Sequence, residues 1–254
     1  MESLTVIGRS PFARLLADIL ECPMNVDADV AIRYGNHRKI VRCEWEINNL
    51  KAVQNARNKD KSLRLFREWD LPVPKFSHDC YRLNLPILGR DRYHYGGTDI
   101  AYYDNYVDAE EGGHDYYIEY LPIDNEFRYH IAFGGVINSV IKTGGDITSV
   151  NRNHTAGWVF KDVKKDEFLF KLSNAAIECL GLDFGAVDII ISKGKPYLLE
   201  INTAPAMVER RMKKLAKEIN RETGRGYLDE YNIRGHPITV SIDGYTADTH
   251  NDSD

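Results

Sequence analysis

The chain has 254 residues, with 33 Lys or Arg against 38 Asp or Glu and a net charge of −5. Apolar residues make up 43% and charged residues 28%, an ordinary balance for a globular protein able to build a core and two or three small lobes. The acidic balance excludes a global basic field that would recruit nucleic acid, and leaves only a local basic patch for such a partner.

The four cysteines, Cys22, Cys43, Cys80 and Cys179, are scattered without metal-type spacing and read as reduced thiols. No apolar run approaches the length of a membrane span and no basic-apolar-small leader is visible. The expectation is a cytoplasmic protein with no membrane partner.

In chain order, residues 4–8 read as a buried strand turned by Gly8 into a helix with Phe12, Leu15, Leu16 and Ile19 on its apolar side. A short strand at 30–34 follows. This α/β fragment lacks a G-x-G-x-x-G loop, so a dinucleotide site is not expected. A lobe boundary is placed near residue 57. Residues 58–62 open a helix with Leu63, Phe66 and Trp69 at helical spacing, ended by Leu71-Pro72-Val73-Pro74. Residues 86–90 read as a strand that delivers Arg90. The following loop holds Arg92, His94, Gly96, Gly97 and Thr98, which could fold over polyphosphate or simply turn a hairpin.

Residues 115–121 and 126–133 are further strands, and Gly134-Gly135 turns the second into a return strand ending at Lys142. Alternation puts Glu126, Arg128 and His130 on one face, which for Arg128 and His130 reads first as a solvated strand face. Residues 149–158, with Arg152 and Asn153, read as a polar loop. A helix starts at Asp166, carries Leu169, Leu172, Ala176 and Leu180, and is capped by Gly181. A last helix is expected to turn Val208, Met212, Leu215 and Ile219 inward and to leave Arg210, Arg211, Lys213, Lys214 and Lys217 as a basic outer surface. The acidic end of the chain is expected to be a disordered tail.

Between the two helices lies the most informative stretch, residues 187–202. Two β-branched, apolar strands flank Lys193-Gly194-Lys195-Pro196, a hairpin signal. Pairing symmetric about Gly194 sets Asp188 opposite Glu200 and Ile190 opposite Leu198. Asp188, Ile190, Leu198, Glu200 and Asn202 then share one face, and Ile189, Ile191, Leu199 and Ile201 the other. Two carboxylates and an amide converge on one patch with no basic residue between them. A divalent cation would relieve their repulsion, and an all-oxygen donor set points to Mg²⁺. Removing one acid is accordingly expected to spare the fold. The competing reading is an acidic pair on a solvated hairpin face.

The run Leu180-Gly-Leu-Asp-Phe-Gly-Ala-Val-Asp188, followed by Leu199-Glu200-Ile-Asn202-Thr-Ala-Pro205, resembles the metal-binding signature of the ATP-grasp superfamily. Asn58-Lys59 with Pro72-Val-Pro74 is similar to the segment leading into its ATP-binding lobes, and Glu119-Tyr120-Leu121-Pro122 with Glu126 to its adenine hinge and ribose acceptor. The order Arg90, Arg92, His94, Gly96-Gly97, Glu126, Arg128, His130, Lys142, Arg152-Asn153 and Gly157-Trp158-Val-Phe160 resembles the carboxylate–amine ligases of bacteriophage and bacterial genomes. One departure is Arg90, where many ATP-grasp enzymes have Lys.

The resemblance implies an α+β protein whose two lobes sandwich ATP, with residues 1–57 as a short N-terminal α/β lobe, 58–224 as the ATP-grasp lobes and 225–254 as a C-terminal tail. It implies ATP-dependent amide formation through an acyl phosphate, from a carboxylate and an amine carried by an amino acid, peptide, polyamine or modified macromolecule. Asp188, Glu200 and Asn202 would hold two Mg²⁺ ions, with Mn²⁺ as a substitute. Lys59, Arg90, Gly96, Gly97, Glu119, Tyr120, Leu121, Glu126 and Lys142 would bind ATP, and Arg128, Arg152 and His94 would act at the reacting groups. Phe160 and Trp158 are assigned to core packing. The alternatives are a kinase-like phosphotransferase and a nucleotide-binding module without turnover.

Overall fold

The computed structural model describes residues 2–93, 100–145 and 157–225. His94, Gly96, Gly97, Arg152 and the tail beyond residue 225 lie outside the described residues. Three sheets organise the rest.

Strands β1 (Leu4–Ile7), β2 (Val30–Arg33) and β3 (Trp45–Ile47) pair in parallel in that order, and α1 (Pro11–Ile19) crosses between the first two. Every residue of β1 and β2 is buried, as parallel strands covered on both faces require. Ser10 caps α1 by accepting from Ala13 N, with Pro11 at the first helical position. Helices α2 (Leu50–Arg57) and α3 (Lys59–Glu68) follow, broken at Asn58, whose extended backbone ends one and whose side chain caps the other through Lys61 N.

The smaller antiparallel sheet has the order β4 (Phe76–Ser77), β7 (Tyr116–Glu119), β5 (Ile87–Arg90), β6 (Ile100–Tyr103), with α4 (Tyr106–Gly112) packed beside it. The larger has the order β10 (Trp158–Asp162), β9 (Gly135–Gly144), β8 (Asn125–Ala132), β11 (Phe184–Ser192), β12 (Lys195–Asn202) and is antiparallel throughout. Lys193 and Gly194 both have positive φ, +50° and +72°, the backbone that lets a two-residue turn follow the strand twist.

One face of the large sheet carries Tyr129, Ile131, Val187, Ile189, Ile191, Leu198 and Ile201. It packs on α5 (Glu167–Cys179) and α2 in the main core. The opposite face carries Glu126, Arg128, His130, Asp188 and Glu200, because side chains alternate along each strand. At its far end this second face is covered: Ala132, Ile137 and Phe184 join the core formed by β1, β2, α1 and α6 (Glu209–Glu222). Asn48, fully buried with φ +55°, links the two regions. Its side chain accepts from Asp183 N and Phe184 N and donates to Phe184 O, while its own N–H donates to Asp183.

The hairpin differs from the symmetric pairing in one respect. Asp188 does lie opposite Glu200, but Ile189 lies opposite Leu198 and Ile190 opposite Tyr197, with a β-bulge in between. Leu199 is the inserted residue. Leu198 therefore points into the main core, fully buried, and not towards Asp188, and Leu199 is only half-buried. At α6, Met212, Leu215 and Ile219 are buried as their spacing predicts, but Val208 precedes the helix and is 59% exposed. No helix of the described residues is long and apolar enough to cross a membrane.

Candidate active site

The polar face of the large sheet is built in rungs. In the central rung, Arg128 on β8 lies between Val140 on β9 and Asp188 on β11, and Asp188 lies opposite Glu200 on β12. Arg128 grips Asp188 with two hydrogen bonds, Nε to Oδ1 at 2.6 Å and Nη2 to Oδ2 at 2.7 Å. This fork geometry is the strongest form of the guanidinium–carboxylate pair. Burial by itself would lower the pKa of Arg128, but Asp188, with Glu200 and Glu126 behind it, raises it. In the neighbouring rung, Glu126 and Lys142 form a second ion pair, both almost fully buried. Phe160 faces Lys142 on β10 and lies beneath both cations, its ring centre 5.0 Å from the Arg128 guanidinium carbon and 5.7 Å from Lys142 Nζ.

Glu200 takes its partners from outside the large sheet. Lys59, at the start of α3, places Nζ 3.4 Å from Glu200 Oε2 and 3.5 Å from Ile201 O. Arg90, at the end of β5 in the small sheet, reaches the same oxygen at 4.0 Å. The expectation of two acids with no basic residue between them is corrected here. The hairpin's own lysines, Lys193 and Lys195, lie at its turn and away from the acids, but β8, α3 and β5 deliver Arg128, Lys59 and Arg90 to the two carboxylates. Repulsion between Asp188 and Glu200 therefore gives no independent argument for a cation.

The donor set still fits one. Each carboxylate offers about four acceptor sites, of which Arg128 occupies two on Asp188. Asn202 lies one step along the sheet opposite Ala186, and its Oδ1 accepts from Ala204 N at 2.9 Å, which leaves that oxygen a second lone pair. No cluster of three or more His, Cys, Asp or Glu able to hold a metal occurs among the described residues. Two carboxylates and an amide suit Mg²⁺ arriving with phosphate oxygens, which does not need an all-protein cage.

Glu119, Tyr120 and Leu121 link the small sheet to the large one. Glu119 N donates to Lys75 O, Tyr120 N donates to Pro86 O, and the Tyr120 ring meets Tyr102 edge-on at 5.5 Å. Lys59, Arg90, Arg128, Asp188 and Glu200 thus meet where the two antiparallel sheets approach each other, with the Glu126–Lys142 pair in the next rung and Glu119, Tyr120 and Leu121 on the connection between the sheets. A separate depression of about 700 Å³, lined by Arg64, Arg67, Lys75, His78 and Arg82, flanks β4 and includes none of the paired carboxylates.

Sequence reasoning named Phe160, His130 and Arg211 but gave them no part in the site. Phe160 is a platform for two cations and not core filling. His130 was read as solvated, yet it is 2% exposed, and burial followed by Arg128 and Arg211 lowers its pKa to about 4. Arg211 belongs to the expected basic outer surface of α6, but its side chain is turned inward and binds Asp162, which the exposed Arg210 also reaches. Lys214 likewise donates to Ile137 O on β9. The alternation of β8 was the available signal for His130; its covering by α6 is a tertiary fact with no local trace.

By sequence the chain matches no family model and no curated protein. By fold it is similar to several solved structures. The ATP-grasp ligase PsnB complexed with minimal precursor superposes with a TM-score of 0.65 at 12% identity, over 88% of this chain and 99% of that one. D-alanine–D-alanine ligase from Bacillus anthracis gives 0.64 at 13% identity, over 89% and 100%. N5-carboxyaminoimidazole ribonucleotide synthetase from Thermotoga maritima gives 0.62 at 11% identity, over 87% and 75%. The chain thus has the ATP-grasp fold, an α+β architecture in which two antiparallel sheets face each other across a polar cleft.

Proposed function

We propose that the chain is an ATP-dependent carboxylate–amine ligase that works through an acyl phosphate. The observation that carries this reading is the assembly, at the cleft between the two sheets, of Asp188, Glu200 and Asn202 with Arg128, Lys142, Lys59 and Arg90. The structural relatives add support: PsnB has been solved with Mg and ADP, and the Bacillus anthracis ligase with ATP.

A free carboxylate cannot lose oxide, so it must first be given a leaving group. A carboxylate oxygen attacks the γ-phosphorus of ATP, the bond to the β,γ-bridging oxygen breaks, and ADP departs. The amine then attacks the acyl carbon, loses a proton, and expels phosphate to leave the amide. The protein's share is positioning and charge neutralisation. In this reading Glu119, Tyr120 and Leu121 frame adenine and Glu126 accepts from ribose. Lys142, Arg90 and Lys59 hold phosphate oxygens, and Gly96 and Gly97 would also bind ATP. Arg128 stabilises the charge on the transferred phosphoryl group, and His94 and Arg152 would act with it at the reacting groups. Asp188, Glu200 and Asn202 would hold two Mg²⁺, which neutralise phosphate charge when bound. Residues 1–57 would bound the substrate end of the cleft, 58–224 would carry the nucleotide, and 225–254 would form a tail; we place the reaction in the cytoplasm.

The test is an ADP-release screen with Mg²⁺ across pooled amino acids, peptides and polyamines, followed by mass spectrometry. The expected product has the summed mass of acid and amine less water. A phosphorylated product without an amide would replace ligation by phosphotransfer.

A further inference from the structure

Lys59 and Arg90 reach one oxygen of Glu200 from different elements, the start of α3 and the end of β5. Those two elements are held together by Asp60 and Arg92, neither of which has a role in the chemistry above. Arg92 lies two residues beyond Arg90. Its N–H donates to Asp115 at 2.8 Å, and its carbonyl accepts from Lys59 N at 3.2 Å. Its Nε lies 3.9 Å from Asp60 Oδ2 and has no hydrogen-bond acceptor among the described residues, so that contact is a charge attraction. Asp60 stands in the first turn of α3, its side chain 1% exposed, with Arg64 Nη2 at 3.0 Å and His78 Nε2 at 3.2 Å. An acid that served only the helix dipole would lie in solvent, because a buried carboxylate is costly unless cations surround it. The Tyr116 phenol, on the neighbouring strand β7, ties the two clusters together. Burial raises its pKa to about 12, and the charges of Arg90, Glu200, Asp60 and Asp115 all act on it.

We propose that Asp60 is a positioning residue for the phosphate-binding cations: by drawing Arg92 onto α3 it fixes the end of β5 against the helix, so that Lys59 and Arg90 converge beside Glu200. The inference deepens the ligase reading and rests on its nucleotide site. Lys59 and Arg90 carry like charges and repel where they converge. Glu200 offsets that repulsion. Asp60 offsets it too, because it attracts the strand end that carries Arg90 to the helix end that carries Lys59. Arg64 and His78 line the separate depression beside β4, so they hold the Asp60 carboxylate without entering the cleft. A polyphosphate gains most when both cations are in place before it arrives, and the loss of Asp60 is therefore felt in nucleotide affinity. Stability is affected less. Arg64, His78 and Arg92 are 47%, 54% and 38% exposed, and each regains water when the charge they share is removed.

The experiment is calorimetric titration of the full chain with AMPPNP and Mg²⁺. The variants are Asp60→Asn, Arg92→Gln and Lys59→Met, with Asp60→Asn also combined with each of the other two. Asp60→Asn keeps the shape of the side chain and removes its charge. The proposal expects it to weaken AMPPNP binding roughly 10-fold, Arg92→Gln to do the same, and their combination to be no weaker than either alone. In the Lys59→Met background, Asp60→Asn should cost much less than in the wild type, because one of the cations it places is gone. Melting curves without nucleotide should differ little between Asp60→Asn and the wild type. A merely structural role predicts additive losses in both combinations, or a lower melting temperature with AMPPNP affinity unchanged; either result would overturn the proposal. If Asp60→Asn fails to fold, Arg92→Gln combined with Lys59→Met gives the same cycle, with non-additive losses expected and additive ones contradicting the proposal. A wild type that binds no AMPPNP removes the ligase reading and the proposal with it. A wild type and an Asp60→Asn variant that bind equally well remove the proposal alone.

Discussion

Arg128 and Asp188 form a pair whose two members have unequal needs. Asp188 is 5% exposed and Arg128 18%, so deleting the acid strands a guanidinium that has little access to water. Asp188→Ala should therefore cost stability, about 3 kcal/mol as for other broken buried pairs. Glu200 is 27% exposed and shares cations that have other contacts, so Glu200→Ala should leave the melting point nearly unchanged. Both should lower kcat by about 100-fold or more. Denaturation curves and turnover on the two variants check this; equal stability losses would contradict the pairing. This reverses the expectation, drawn from the hairpin sequence alone, that removing either acid relieves repulsion.

His130 gives a pH signature at the same scale. Its pKa falls from the ordinary 6.5 to about 4 on folding, so between those values the unfolded chain binds the extra proton. Stability is then fully present above about pH 7 and declines as pH drops towards 4, by about 3 kcal/mol in all. Urea melts at intervals from pH 7 to 4 should show this slope, and His130→Leu should flatten it. An unchanged slope in the variant would assign the effect elsewhere.

At the scale of elements, the β-bulge in β12 is the feature that sequence alternation missed. The two-residue turn at Lys193-Gly194 sets Ser192 opposite Lys195, one step off the symmetric pairing, and the extra Leu199 restores Asp188 to Glu200. The hydrophobic pattern of the strand looks regular across this point, because Leu198 and Leu199 are chemically alike and either can serve as the core residue. Deleting Leu199 keeps every pairing on both sides and removes the local twist that aims Glu200. We expect the shortened chain to fold, with kcat down by about 100-fold, the loss that a misplacement near 1 Å can cause. A fully active deletion would mean the bulge is incidental. Asn48 is the second such element: Asn48→Ala leaves three backbone groups of residues 183–184 without partners and should cost about 3 kcal/mol in a denaturant titration.

For the whole molecule, the strands of the large sheet, the helix at α5 and the hairpin were legible because each has a strong local period and a matching cap or turn. Asp166 and Gly181 bracket α5 as read, and the expected Asp188–Glu200 pairing is present, though the bulge at Leu199 and not the turn alone produces it. The cations that meet those acids were not legible as partners, since Lys59, Arg90 and Arg128 come from three other elements and only folding brings them together. The same holds for Arg211 of α6, which turns to Asp162, while Arg210, Lys213, Lys214 and Lys217 form the exposed basic surface that the spacing predicts. The packing of α6 with β1 and α1 joins the first and last elements of the described chain into one core.

The central claim, that the cleft activates a carboxylate by phosphorylation, is tested most directly by isotope transfer. Carboxylate substrates labelled with ¹⁸O are incubated with the chain, Mg²⁺, ATP and the amine pool, and the released phosphate is weighed. The account predicts ADP, an amide and one ¹⁸O in the phosphate, all lost in Glu200→Ala. Label appearing in AMP, or unlabelled phosphate alongside the amide, would contradict it.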